Sequence, residues 1–354
     1  MNTAPGVPGR RKDAGGQAAS ILHASQLSSG LKPTSRKSLW SKAISKPEFS
    51  AFLMLVAVFA AFQLYTGFFL SYANTRLLLT ILPELGIVVL GVTILMIAGE
   101  FDLSVGSVFA LVPMTLHALT ARYGVDPYLA LVLVLGLALL VGYINGAVTL
   151  SLGIPSFITT LGMLFVARSM SIVAVGGNPL ALADYPFGDV LVVNFGYIRA
   201  SLIWYVGLAV VLGVWLHASD FGNWIFATGG QAQAAKDLGI NTRRVKITAF
   251  MLCSLLAGLA GIIQMLRTKA PLPSMGTGLE LEVIAGAVIG GTALTGGVGS
   301  IIGAIIGAIL IRSIDNGLVM SRVNAEWFRT ALGVLIVVSV VLNVKAGQFF
   351  SRRR

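Results

Sequence analysis

Apolar runs long enough to cross a lipid bilayer recur from residue 51 almost to the C-terminus, and they fix what this chain can fold into. Residues 51–70 are almost entirely apolar. At 1.5 Å rise per residue, about twenty helical residues span the roughly 30 Å hydrocarbon core. Further runs occupy 77–98, 103–121, 128–150, 156–175, 201–218, 248–266, 281–293, 300–314 and 328–343. The expected fold is an all-α integral membrane protein with about ten transmembrane helices, short or interrupted near residues 98–106 and 293–300.

Composition excludes the soluble alternative. Of 354 residues, 56% are hydrophobic and 11% charged, too little polar surface to enclose a core of that size in water. Beyond residue 50 no continuous polar stretch is long enough for a separate catalytic or binding domain. The one cysteine, Cys253, lies in an apolar run and reads as a packing residue. His23, His117 and His217 are scattered without metal-ligand spacing, so no metal site is expected.

The formal net charge of +11 points to topology, not to nucleic acid. Basic residues gather before the first run, in the loop holding Lys236, Arg243, Arg244 and Lys246, and at the C-terminus, together about two-thirds of the 25 Lys and Arg. The positive-inside rule assigns all three places to the cytoplasm, and an even number of crossings returns both termini to that side. The expected organisation is a disordered basic cytoplasmic tail over 1–46, a transmembrane domain over 47–346 with a cytoplasmic loop at about 220–246, and a short basic tail over 347–354.

Two stretches carry candidate function. The first, IAGEFDLSVG over residues 97–106, joins two spans with almost no polar linker. Carboxylates at membrane depth do not face lipid, so Glu100 and Asp102 either line a hydrated path together with Ser104 and Gly106 or emerge in a tight turn where Asp102 or Ser104 caps the next helix. Asn145, Ser156, Thr159, Thr160 and Arg168, in or beside the fourth and fifth spans, offer hydrogen bonds to a solute or tie helices together. Arg168 lies near the expected outer end of its span, where snorkelling also accounts for it. Glycines four apart, at 142 and 146, 286 and 290, and 299, 303 and 307, allow close helix packing within one bundle or between subunits.

The second stretch, GGQAQAAKDLGINTRR over 229–244, reads as a short Ala-rich helix stopped by Gly239 and Asn241. Lacking bulky apolar residues along one face, it suits docking into a groove on another protein better than lying on lipid, a purely structural loop being the alternative.

These motifs, with LGIPSFITTLG over 152–162 and GAVIGGTALTGGVG over 286–299, resemble the permease subunits of ribose-type sugar importers of the ATP-binding-cassette class, over residues 51–343. The resemblance implies a multi-pass permease in the bacterial inner membrane, surrounded by lipid. It would pair with a second permease subunit as a homodimer, bind two separate ATPase subunits and be fed by a periplasmic solute-binding protein. Glu100, Asp102, Ser104, Gly106, Asn145, Thr159, Thr160 and Arg168 would then flank the solute path. Gln231, Ala234, Ala235, Lys236, Gly239, Ile240, Asn241, Arg243 and Arg244 would form the loop that couples to the ATPase. The chain carries no Gly-x-x-x-x-Gly-Lys-Ser/Thr phosphate loop, so ATP is expected to be used by a separate subunit, with no cofactor and no enzymatic activity here. Two other readings compete. One is an ion-coupled carrier using Glu84, Glu100, Asp102 or Asp315; the other is an intramembrane enzyme, for which no Ser-His pair or paired carboxylates at helical spacing is apparent.

Overall fold

A computed structural model describes residues 1–3, 47–176, 185–324 and 326–351. The chain divides into two units, Met1–Ala43 and Ile44–Arg354. Residues 4–46, nearly all of the expected N-terminal tail, and 352–354, the last three of the expected C-terminal tail, lie outside the described residues.

The second unit is helical. In chain order it comprises α1 (Pro47–Thr66), α2 (Tyr72–Ile97), α3 (Val105–His117, closed by a π-helical turn over Ala118–Arg122), α4 (Pro127–Leu152), α5 (Ser156–Val175) and the short α6 (Gly188–Val192). After these come α7 (Ala200–Ala218), α8 (Asp220–Gly230), α9 (Ala232–Asp237), α10 (Thr242–Thr268), α11 (Leu279–Ile289), α12 (Ile301–Met320) and α13 (Glu326–Ser351). Helix ends follow local chemistry. The Asp126 carboxylate accepts from Tyr128 N and Leu129 N, each at 3.0 Å, Pro127 opens α4, and Gly153 closes it at φ +66°. Asn241 caps α10 by accepting from Arg244 N at 2.9 Å.

All ten runs predicted to cross the membrane fall on helices, but they are not equivalent. Eight helices are long and apolar enough to span, among the described residues. The other two runs fall on α11, whose 11 residues rise only about 16 Å, and on α13, whose apolar part is Trp327–Val338. Helix α13 continues through Ser351, past the expected end of the span. One small departure from an all-α chain is β1 (Asn194–Phe195) paired antiparallel with β2 (Ile198–Arg199), a two-residue ladder before α7.

Helix α10 is central, packed against α2, α3 and α4. The second half of α2, from Leu82 to Ile97, is buried throughout, as are most of α3 and α10, whereas α1, α4, α5 and α7 present rows of exposed Leu, Val, Ile and Phe that suit contact with lipid tails. Glycines set the closest approaches. A Cβ at Gly142 would meet Met251 Cα and Phe250 O at 2.6 Å, and one at Gly146 would meet Ile247 Cα at 3.1 Å, so α4 and α10 pack on these two residues. Cβ atoms at Gly290 and Gly303 would each strike the other's carbonyl, and one at Gly307 would strike that of Gly286. Of the two readings of the glycine spacing, packing within one bundle is the one these contacts show.

Candidate functional site

Helix α2 stops at Gly99, which adopts φ +83°. The stop is a left-handed closure: Gly99 N donates to Met96 O at 2.9 Å and Glu100 N to Leu95 O at 3.2 Å. From there to Ser104 the chain is not helical, so its N–H groups need partners that lipid cannot supply. Helices α4 and α5 supply them. Phe101 N donates to Ser156 Oγ at 3.1 Å and Leu103 N to Thr160 Oγ1 at 3.0 Å. Ser104 donates twice to Asp102 Oδ1, from its N at 2.7 Å and its hydroxyl at 2.6 Å. The Asn145 amide donates to Ser104 Oγ at 2.9 Å and to Asp102 Oδ2 at 3.4 Å. Asp102, Ser104, Asn145 and Thr160 are fully buried.

Four of the eight predicted path residues therefore form one polar knot. Asn145 Oδ1 and Thr159 Oγ1 are buried and take no hydrogen bond among the described residues. Glu100 instead pairs with Lys246 on α10 at 2.5 Å. Arg168 departs from the snorkelling expectation. It lies twelve residues into α5, about 18 Å along the helix, and its guanidinium turns inward. There Nη1 donates to Pro273 O at 2.8 Å and Met275 O at 2.7 Å, and Nη2 donates to Gly106 O at 3.1 Å. The loop 269–278 is thereby pinned against the start of α3. Gly106 is needed for that approach, since a Cβ there would collide with Gly276 O and the Glu280 carboxylate.

No predicted path residue lines two apolar hollows found among the described residues. These hollows flank α1 and share Phe59 and Leu70, and the 190 Å³ hollow is closed by Leu78, Leu82 and Ile309. Charge on the packed helices is more extensive than the candidate list. Arg267 pairs with Glu84 through Nε and Nη2, and Arg312 lies 3.7 Å from Glu282 and 3.5 Å from Asp315. Arg267 and Arg312 were not among the candidates, although a basic residue within or at the edge of an apolar run is the signal that finds them. Glu84 and Asp315, which an ion-coupled carrier would use, are both committed to arginines.

The second stretch forms a compact projection. Ser219 caps α8 by accepting from Gly222 N at 3.1 Å. At Gln231 the backbone turns extended, and α9 follows. Gly239 closes α9 at φ +84°, with Gly239 N bonded to Lys236 O and Ile240 N to Ala235 O. Ala235 is 2% exposed and seats α9 on the body, while Gln231, Ala234, Lys236, Gly239, Asn241, Arg243 and Arg244 are exposed and Ile240 is half-buried. Arg243 reaches back to Ser151 Oγ at 2.7 Å. Leu238, missed among the candidates, is 81% exposed at the tip. It is the one bulky apolar residue in a run of Ala, Gln, Lys and Asp, and that isolation was its signal.

A buried break between two helices of spanning length, charged pairs between helices and an exposed helix between two spans together suit a transport subunit. The model of the family described as branched-chain amino acid transport system, permease component, matches residues 74–340. The chain belongs to that permease family. It is 35% identical to the xylose/arabinose import permease protein of Sulfolobus acidocaldarius, the match covering 84% of this chain and 85% of that protein. It is 34% identical to the ribose import permease protein of Escherichia coli, covering 73% and 82%, and 33% identical to a probable ABC transporter permease protein of the same organism, covering 91% and 96%. No solved structure matches it. The permease is thus a transmembrane subunit of an ATP-driven importer, and the family disfavours the ion-coupled reading.

Proposed function

We propose that this permease imports a pentose or a similar small polyhydroxylated solute across the bacterial inner membrane, both termini in the cytoplasm, as a pair of identical subunits bound to two ATPase subunits and served by a periplasmic binding protein. The sugars for which the relatives are named, ribose, xylose and arabinose, support the solute class. The observation that carries the coupling reading is α9, a short exposed helix with Leu238 projecting from its end and Lys236, Arg243 and Arg244 around it. An apolar anchor inside a basic rim has the composition of a protein-docking site. ATP is hydrolysed by the separate subunits; their closure displaces α9, and the bundles rock between outward-open and inward-open states.

The solute path passes beside the break at residues 98–106, flanked by Glu100, Asp102, Ser104, Gly106, Asn145, Thr159, Thr160 and Arg168. Asn145 Oδ1 and Thr159 Oγ1, unpaired among the described residues, are hydrogen-bonding capacity that a hydroxylated solute or its water can use when the bundle opens. Tight solute contacts are unnecessary, since a docked binding protein releases its cargo at high local concentration.

The test is reconstitution of the permease into liposomes with its ATPase subunits and its solute-binding protein, followed by uptake of labelled D-ribose, D-xylose and L-arabinose. Uptake of at least one that requires ATP and survives collapse of the proton and sodium gradients is expected. Uptake driven by an ion gradient without the ATPase would overturn the reading.

A further inference from the structure

Both ends of the loop that carries α9 are tied to the same four residues at the end of α2. On the N-terminal side, a Cβ at Gly229 would overlap Ile97 O and stand 2.8 Å from Gly297 N. A Cβ at Gly99 would lie 3.4 Å from Gly229 Cα. On the C-terminal side, Lys246 pairs with Glu100. A third backbone joins them, the turn between α11 and α12. Gly297 N donates to Ile97 O at 2.9 Å, a Cβ at Gly296 would lie 2.8 Å from both Gly99 Cα and Gly229 O, and one at Gly297 would lie 2.5 Å from Gly230 Cα. Gly99, Gly296 and Gly297 all have positive φ, which a side chain would strain.

Three bare backbones in mutual contact behave differently from three packed side chains. Side chains take up small displacements by changing rotamer; backbone in van der Waals contact has no such freedom, so motion of one strand is passed to the next. Gly230 directly precedes α9 across Gln231, Gly99 opens the break that leads into α3, and Gly296 and Gly297 lie on the connection from α11 to α12. We propose that Gly99, Gly229, Gly296 and Gly297 are positioning residues for coupled transport. They form a slack-free block, latched by the Glu100–Lys246 pair, that delivers displacement of α9 at once to the break and to the α11–α12 turn. This rests on the reading of α9 as the element the ATPase moves.

The test uses the complex of the whole chain with its ATPase subunits in liposomes, supplied with its solute-binding protein, reading bound ATPase, ATP hydrolysis and uptake of labelled D-ribose, D-xylose and L-arabinose. Gly229→Ala and Gly296→Ala are expected to keep ATPase binding and hydrolysis within about twofold of wild type while uptake falls at least about tenfold. Gly67→Ala, which has the same backbone strain at φ +77° but nothing within 4 Å of its Cβ, and Gly230→Ala, whose Cβ would meet only Gly297 Cα at 3.8 Å, should leave uptake unchanged. In the otherwise wild-type complex, spin labels at Gln233→Cys and Leu294→Cys read the block directly, whatever the variants do to assembly. Their separation should stay within about 2 Å between nucleotide-free and ATP-trapped states, and a change beyond about 5 Å would overturn the proposal. Unimpaired uptake in Gly229→Ala and Gly296→Ala would overturn it too, leaving the α9 reading intact. An ATPase that binds equally well to a chain with α9 deleted would instead remove the reading on which the proposal rests.

Discussion

At the residue scale, Asp102 holds the break together. Its carboxylate receives two bonds from Ser104 and one from Asn145 in a site closed to water. Asp102→Ala leaves the two Ser104 donors buried without their acceptor, while Asn145 keeps Ser104 Oγ, and should cost about 2–3 kcal/mol in thermal unfolding of the detergent-solubilised chain. Asp102→Asn keeps an oxygen for Ser104 and presents an amide to which Asn145 can turn its unpaired Oδ1. It should unfold within about 1 kcal/mol of wild type, a result that separates hydrogen bonding from charge. Leu238 is the converse case, a side chain with nothing to do in the isolated chain. Leu238→Asp should leave melting unchanged while weakening ATPase binding roughly thirtyfold, read by titration with the purified ATPase subunit. Its isolation among Ala, Gln, Lys and Asp was legible in the sequence, but its 81% exposure was not, since that depends on how Ala235 seats α9 on the body.

At the element scale, the runs of apolar residues placed every long helix, because spanning length and hydrophobicity are properties of a local window. What they left undetermined is tertiary. The inward reach of Arg168 depends on the loop 269–278, more than a hundred residues away in sequence, and the choice between helix packing and a subunit interface for the glycine pairs depends on which helices meet. The α11–α12 contact makes that choice testable. Gly303→Leu forces a side chain into the Gly290 carbonyl and should destabilise the chain by about 1–3 kcal/mol or more even as an isolated subunit, measured by thermal unfolding at high dilution. Loss of self-association with unchanged unfolding would place Gly303 between subunits instead. Arg267→Ala tests the charged pairs in the same assay. It strands Glu84, which is buried, and should cost about 3 kcal/mol or more, largely restored by the paired change Glu84→Gln.

At the scale of the whole molecule, the motifs at 97–106 and 229–244 were visible as motifs, and the structure adds that they are neighbours. Neither composition nor spacing reveals that Lys246 meets Glu100 or that Gly229 lies on Ile97, since such proximity is created by α10 returning alongside α2. On the reading proposed above, that adjacency is a short mechanical route from an ATPase to the buried break. The route exists only if α9 faces the cytoplasm. Cys253 is buried, so a single added cysteine reports alone. With Ala234→Cys, an impermeant maleimide should label inside-out vesicles but not intact cells, and bound ATPase subunit should protect the site. Labelling of intact cells would put α9 on the outer surface and contradict the account.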